Sequence, residues 1–204
     1  MGKRMDEAVF ERHQNLESLP PLKLLYIIYR RLVEQGLIST LLWVAEKISR
    51  RLRGVSPAAT SHVYPGLYVG GQQTRRGLSR VRERGIDAVV NMREESDDAE
   101  RGVAPEHYLW LPTTDDAPPR LEDLERGVAF IEQHRAADRG VYVHCASGVG
   151  RAPTMAAAYL VSQGMTPEEA WTAIERARPF IRPTPPQIDV IEAYARQLSE
   201  KEPS

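Results

Sequence analysis

The segment VYVHCASGVGRAPTMAAAYL (141–160) decides the fold. Val141 to Cys145 are mostly β-branched and aromatic residues, as a strand prefers. The next residues, ASGVG, are small and include two glycines, so the chain can turn sharply there. From about Pro153 the pattern becomes helical, with a proline early and Gly164 at the end. Strand, tight loop and helix in succession is the building unit of an α/β sheet.

The rest of the chain repeats this alternation. GLYVGG (66–71), IDAVVNM (86–92) and HYLWLP (107–112) read as strands; GLSRVRERG (77–85) and RLEDLERGVAFIEQHRAADRG (120–140) read as helices. In the latter, Leu121, Leu124, Val128 and Ile131 fall at helical spacing. TPEEAWTAIERARP (166–179) opens with a capping box, Thr166 with Glu169 and Pro167 between them. PTPPQIDVIEAYARQLSEK (183–201) reads as a last helix. The expected fold is α/β: a central, largely parallel sheet of about four to five strands flanked by helices, preceded by an N-terminal helical extension.

Residues 1–20 are polar. Residues 21–53 read as a helix broken or bent at Gly36, with apolar stripes Leu22, Leu25, Tyr29, Leu32 and then Leu41, Ala45, Ile48, Leu52. Such stripes are most often core. Because basic residues lie among them, an anionic membrane surface or a second copy of the chain are the other expected occupants. GVSPAATS (54–61) is a turn-rich linker. The expected division is an extension at 1–61 and a compact domain at 62–204.

Net charge is −1, so no global field recruits nucleic acid. Residues 1–55 carry ten Lys/Arg against six Asp/Glu, leaving seventeen against twenty-two in the remainder. A single cysteine forms no internal disulfide, and the charged N-terminus does not resemble a signal peptide; the expected location is the cytoplasm, with possible peripheral contact to a membrane. LISTLLWVA (37–45) is too short to span a bilayer.

Cys145 lies at the carboxyl end of a strand, where α/β sheets bind ligands. The loop after it presents successive N–H groups, and the following helix adds its positive dipole end; together they suit an anion. Arg151 offers a planar fork matched to phosphate oxygens. The same positive surroundings favour the thiolate, the reactive form of cysteine. One loop thus binds a phosphate and aims a nucleophile at it. The alkoxide that leaves needs a proton. Asp115 and Asp116 follow the preceding strand and reach the same rim.

HCASGVGR (144–151) resembles the Cys-x5-Arg loop of protein tyrosine phosphatases. YPGLYVGG (64–71), GIDAVVNMR (85–93), the Asp loop at 115 and RPFIRPTPPQ (178–187) are similar to the dual-specificity branch of that superfamily, so the resemblance spans roughly 62–198. It implies that Cys145 forms a phosphocysteine, that Ala146, Ser147, Gly148, Val149, Gly150 and Arg151 hold the phosphoryl group, and that an Asp is the general acid. The family's spacing to the next helix selects Asp115, with Asp116 the alternative. It implies no cofactor and no metal. In one position the chain departs from the family: Ala152 stands where Ser or Thr usually helps the thiolate leave. Slow breakdown of the phosphoenzyme is expected unless Thr154 or Ser147 substitutes.

The expected substrate is a phosphoprotein. A single-phosphate lipid headgroup such as phosphatidylglycerophosphate is the alternative, since the loop is also similar to that of phosphatidylglycerophosphate phosphatases and carries no lysine for further phosphates. A sulfurtransferase of the rhodanese kind and a phosphate-reading module stalled by Ala152 are the readings from other classes. Other residues have plainer roles. His144 points to the opposite face from Cys145 and orders the loop by hydrogen bonding. Asp97, Asp98 and Glu100 form a solvated acidic run. Arg93 makes a surface ion pair or faces the pocket, and Gln187 starts a helix or positions water. Gly148 and Gly150 do not complete a dinucleotide-binding fingerprint.

Overall fold

The computed structural model describes the backbone of residues 20–201 and the side chains from Leu25 onward. The polar stretch 1–19 and the side chain of Leu22 lie outside it. Helix α1 (Pro20–Arg53) is interrupted at Gly36, whose φ of 80° and ψ of 175° are non-helical. Thr40 Oγ1 donates to Gly36 O at 2.8 Å, so the break has its own hydrogen bond. Two compact units divide the chain, the first ending at Val44 and the second running from Ala45. The second unit therefore takes in residues 45–61, which sequence alone assigns to the extension. No helix among the described residues is long and apolar enough to cross a membrane.

The apolar stripes of α1 are not core. Leu25, Tyr29, Leu32, Leu41, Ile48 and Leu52 are all exposed. Periodicity identifies the helix, but burial needs a partner surface as well, and among the described residues these side chains have none that buries them.

Five strands form one sheet in the order β1-β2-β5-β3-β4: β1 (His62–Tyr64), β2 (Leu67–Gly71), β3 (Ile86–Arg93), β4 (His107–Thr113) and β5 (Gly140–Cys145). The β2–β5, β5–β3 and β3–β4 pairs are parallel, whereas the short edge strand β1 runs antiparallel to β2. The remaining helices are α2 (Arg75–Arg82), α3 (Leu121–Ala136), α4 (Arg151–Ser162), α5 (Pro167–Ala177) and α6 (Pro185–Lys201). The capping box forms as expected, with Glu169 N–H donating to Thr166 Oγ1 and Thr166 N–H to the Glu169 carboxylate.

Strand alternation sends Ala88, Val90, Met92, Val141, Val143 and Cys145 to one core, shared with α3 to α6. Val89 and Tyr142 face the other way, against Val81 of α2 and Val55. Helix α4 is largely apolar, and residues 151–161 are all buried. Its run of alanines lets the neighbouring helices approach closely. A helix wrapped this way holds its N-terminus rigidly against the sheet edge.

Candidate active site

The carboxyl ends of β2, β3, β4 and β5 lie along one edge, because these strands are parallel. Gly71 pairs with Cys145, and Asn91 with His144. The loop 145–150 runs from that edge into α4, which begins at Arg151, two residues earlier than expected. Gly150 caps the helix without a side chain, so the first-turn N–H groups depend on other partners.

Cys145 is buried and is the free thiol of the chain. Its Sγ accepts the Gly148 N–H at 3.2 Å. This curl requires Gly148 in the left-handed region, at φ 67°. A Cβ there would also overlap the backbone C and O of Gly70. Both requirements select glycine. Gly150 meets a milder limit, since its Cβ would lie 3.0 Å from Gln187 Oε1.

Arg151 is 1% exposed and reaches across the sheet edge. Nη1 donates to Thr113 O at 2.8 Å and to Glu95 Oε2 at 2.8 Å; Nη2 donates to Glu95 Oε1 at 3.1 Å. Nη2 also lies 2.9 Å from Asp115 Oδ1. Its Nε is buried and has no hydrogen-bond partner among the described residues. The hydrogen bond from Arg151 holds the Glu95 carboxyl down at about 2, against some opposition from burial. On Arg151 itself burial works against the charge, but the bond to Glu95 and nearby negative groups outweigh it and raise its pKa.

The structure brings Asp115 rather than Asp116 to Arg151. Asp115 remains 75% exposed, while Asp116 has a positive φ of 60° and uses its carbonyl to accept Thr184 Oγ1 at 2.9 Å. Thr154 Oγ1 is taken by Gly150 O at 3.0 Å, and Ser147 Oγ accepts Lys47 Nζ at 3.3 Å. Neither hydroxyl is bonded to Cys145, and Ala152 is fully buried.

The acidic run at 97–100 is not simply solvated. Asp98 is fully buried and bonds His144 Nε2 at 2.8 Å, Gln72 Nε2 at 2.7 Å and Gln73 Nε2 at 3.0 Å. Burial pushes the Asp98 carboxyl up, yet the hydrogen bond and charge of His144 win and leave it lowered. His144 faces away from the thiol, as alternation requires, and ties the loop below the sheet edge. Arg93 pairs with Glu95 at 2.9 Å and donates to Gln72 Oε1 at 2.8 Å. Gln187 both opens α6, accepting Thr184 N–H at 3.1 Å, and lies against Gly150.

Two residues of the site escape a reading by sequence. Glu95 sits two positions past the end of β3, and its strand-end position is the signal available for it. Arg178 is fully buried; its Nε donates to Gly148 O at 3.0 Å and its Nη1 to Thr60 O at 2.6 Å. A charged residue inside the apolar stretch ARPFI hints at it, but its partners do not.

A buried cysteine whose Sγ takes the Gly148 N–H, beside an arginine with an unspent donor and an exposed acid, has the chemistry that suits a phosphate monoester. A family model described as dual specificity phosphatase, catalytic domain, matches residues 67–197, more than half of the chain. The chain belongs to that family. A human phosphatidylglycerophosphatase and protein-tyrosine phosphatase 1 is 38% identical over 84 residues, 41% of this chain and 42% of that protein. Human dual specificity protein phosphatase 12 is 38% identical over 121 residues, 57% and 36% of the two chains. These matches span less than half of each relative's length. The crystal structure of PTPMT1 in complex with PI(5)P superposes with a TM-score of 0.63 at 29% identity, covering 68% of this chain and 96% of that one. Human DUSP28, at 23% identity and a TM-score of 0.61, shares the fold.

Proposed function

We propose that the protein is a cysteine-dependent phosphatase that hydrolyses phosphate monoesters through a phosphocysteine, with a phosphoprotein as its substrate. The observation that carries this is the pairing of Cys145 Sγ, on the Gly148 N–H, with Arg151, whose Nε is unspent and whose Nη2 meets Asp115. The phosphate binds the N–H groups of Ala146 to Arg151 and the Arg151 fork. Cys145 attacks phosphorus in line as the ester bond breaks, and Asp115 gives its proton to the leaving oxygen. Water then attacks the phosphocysteine, Asp115 takes its proton, and inorganic phosphate and the thiolate are released. The compact unit that begins at Ala45 and includes the matched family domain carries this chemistry, and a free catalytic thiol suits the cytoplasm.

The test is hydrolysis of p-nitrophenyl phosphate without added metal. Turnover abolished by Cys145→Ser, strongly reduced by Asp115→Ala and inhibited by vanadate supports the mechanism. Turnover that survives Cys145→Ser refutes it, and turnover of thiosulfate instead would mark a sulfurtransferase.

A lipid phosphate substrate is the second reading. The exposed apolar side chains of Leu25, Leu32, Leu37, Ile38 and Leu41 on α1 favour it, as apolar surface for a membrane to cover, and the PTPMT1 structure is a complex with PI(5)P. Cosedimentation with phosphatidylglycerol vesicles, lost in Leu37→Glu/Leu41→Glu, supports this reading. A switch of that variant from dimer to monomer without any vesicle binding would assign the face to self-association.

A further inference from the structure

We propose that Arg50, in the last turn of α1 and outside the matched family domain, is a positioning residue of the phosphate loop; the inference rests on the phosphatase reading above. In a trans peptide the carbonyl and the next N–H point in opposite directions. Whatever holds a loop carbonyl outward therefore aims the following N–H inward. Arg50 Nη1 donates to Ala146 O at 2.8 Å, which sets the Ser147 N–H. Arg178 holds Ser147 O at 3.5 Å and Gly148 O at 3.0 Å, which set the next two. The backbone N–H of Arg182 takes Val149 O at 2.6 Å. Ala146 O also takes the Gln72 N–H at a longer 3.4 Å, so α1 supplies the shorter of its two donors.

Arg50 is built into place. Gly54, at φ 79°, ends α1 with its N–H on Arg50 O at 2.7 Å. Its carbonyl accepts Thr74 N–H at 2.8 Å, and a Cβ on Gly54 would overlap Thr74 and Gly77. One turn earlier, Glu46 is buried, accepts Ser56 Oγ at 2.9 Å and lies 3.6 Å from Arg178 Nη2. Ser56 Oγ in turn accepts the Gly71 N–H at 3.1 Å. At Gly71 a Cβ would overlap Arg50 Nη1 itself, so the second glycine of VGG is the doorway through which Arg50 reaches the loop. Arg50 thus bears on the loop directly, and Glu46 does so through Arg178.

The experiment uses the full chain and measures vanadate inhibition, kcat/KM on p-nitrophenyl phosphate, and Tm. In Arg50→Ala the vanadate Ki rises about tenfold, the effect of losing one charge-assisted hydrogen bond, and Arg50→Lys recovers most of it. Gly71→Ala, which displaces the Arg50 fork, gives a similar rise, and the double variant is no worse than either single one. A Ki and kcat/KM within twofold of wild type in Arg50→Ala, whatever happens to Tm, overturn the proposal, as does full additivity. Calorimetric binding of inorganic phosphate separates the two ideas. If Cys145-dependent turnover is absent but phosphate binds and Arg50→Ala weakens it, the phosphatase reading fails and the positioning role stands. If wild type binds no phosphate, both fail.

Discussion

Gly148→Ala combines backbone strain and collision in a single substitution, and Gly85→Ala carries the strain alone. At φ 67°, alanine costs about 1–2 kcal/mol for the left-handed conformation. The new Cβ also runs into Gly70 C and O, which are main-chain atoms of a central strand and have no rotamer to change. Overpacking of this kind adds about 1–3 kcal/mol. The total is about 2–5 kcal/mol, and the cheapest relief is for the loop to move, since β2 is hydrogen-bonded on both sides. Spent on loop placement, that energy lowers kcat/KM by roughly thirtyfold to a few thousandfold. Any unrelieved part lowers Tm by about 2–4 °C per kcal/mol. Gly85→Ala is the internal control: φ is 71° but no atom lies within 4 Å of its Cβ, so it bears the conformational cost alone and leaves kcat/KM unchanged. The assay is p-nitrophenyl phosphate hydrolysis beside thermal melting of both variants. A Gly148→Ala protein with kcat/KM within threefold of wild type, and a Tm no lower than that of Gly85→Ala, would refute the reasoning.

Two further predictions concern the charges and the thiol. Glu95 titrates at about 2 in the folded chain against an ordinary 4.5, so its contribution to stability is complete above pH 4.5 and disappears as pH falls toward 2; the Tm gap between wild type and Glu95→Gln should be constant above pH 4.5 and close below it, and a gap independent of pH would contradict this. With Ala152 buried, Thr154 engaged by Gly150 O and Ser147 by Lys47, no hydroxyl among the described residues is bonded to Cys145; rapid-quench kinetics of wild type should give a burst of product followed by a slow phase, which Ala152→Ser should shorten with a several-fold rise in kcat, whereas burst-free kinetics in wild type would sink the idea.

What was legible in the sequence was local. Cys145 and Arg151 share a six-residue loop, so their spacing carries the geometry, and the parallel strands announce themselves by their apolar runs. Strand β1, three residues long with a register shift against β2, is too short to show a period. Asp98 looks like part of a solvated acidic run because its partner, His144, is 46 positions away. Helical periodicity finds α1 and its break at Gly36, but says nothing of what covers its stripes. Glu46 and Arg50 belong to no motif, and Arg178, though it opens the RPFIRPTPPQ stretch, gives no sign of its partners until the fold brings it to the loop.

That clasp sets an order of events in the life of the chain. The partner of Ala146 O lies 96 positions earlier, and that of Gly148 O lies 30 positions later. Bringing such distant segments together carries a loop-closure cost that contacts within the loop do not. As the polypeptide leaves the ribosome, the thiol emerges well before Arg178, so the nascent chain carries the motif for some time without the pocket. A product truncated after α4 would keep Cys145 and Arg151 but lack the groups that aim the N–H cradle. Such a fragment is expected to hydrolyse p-nitrophenyl phosphate more slowly than the whole chain, because its loop carbonyls lack donors that the folded chain supplies.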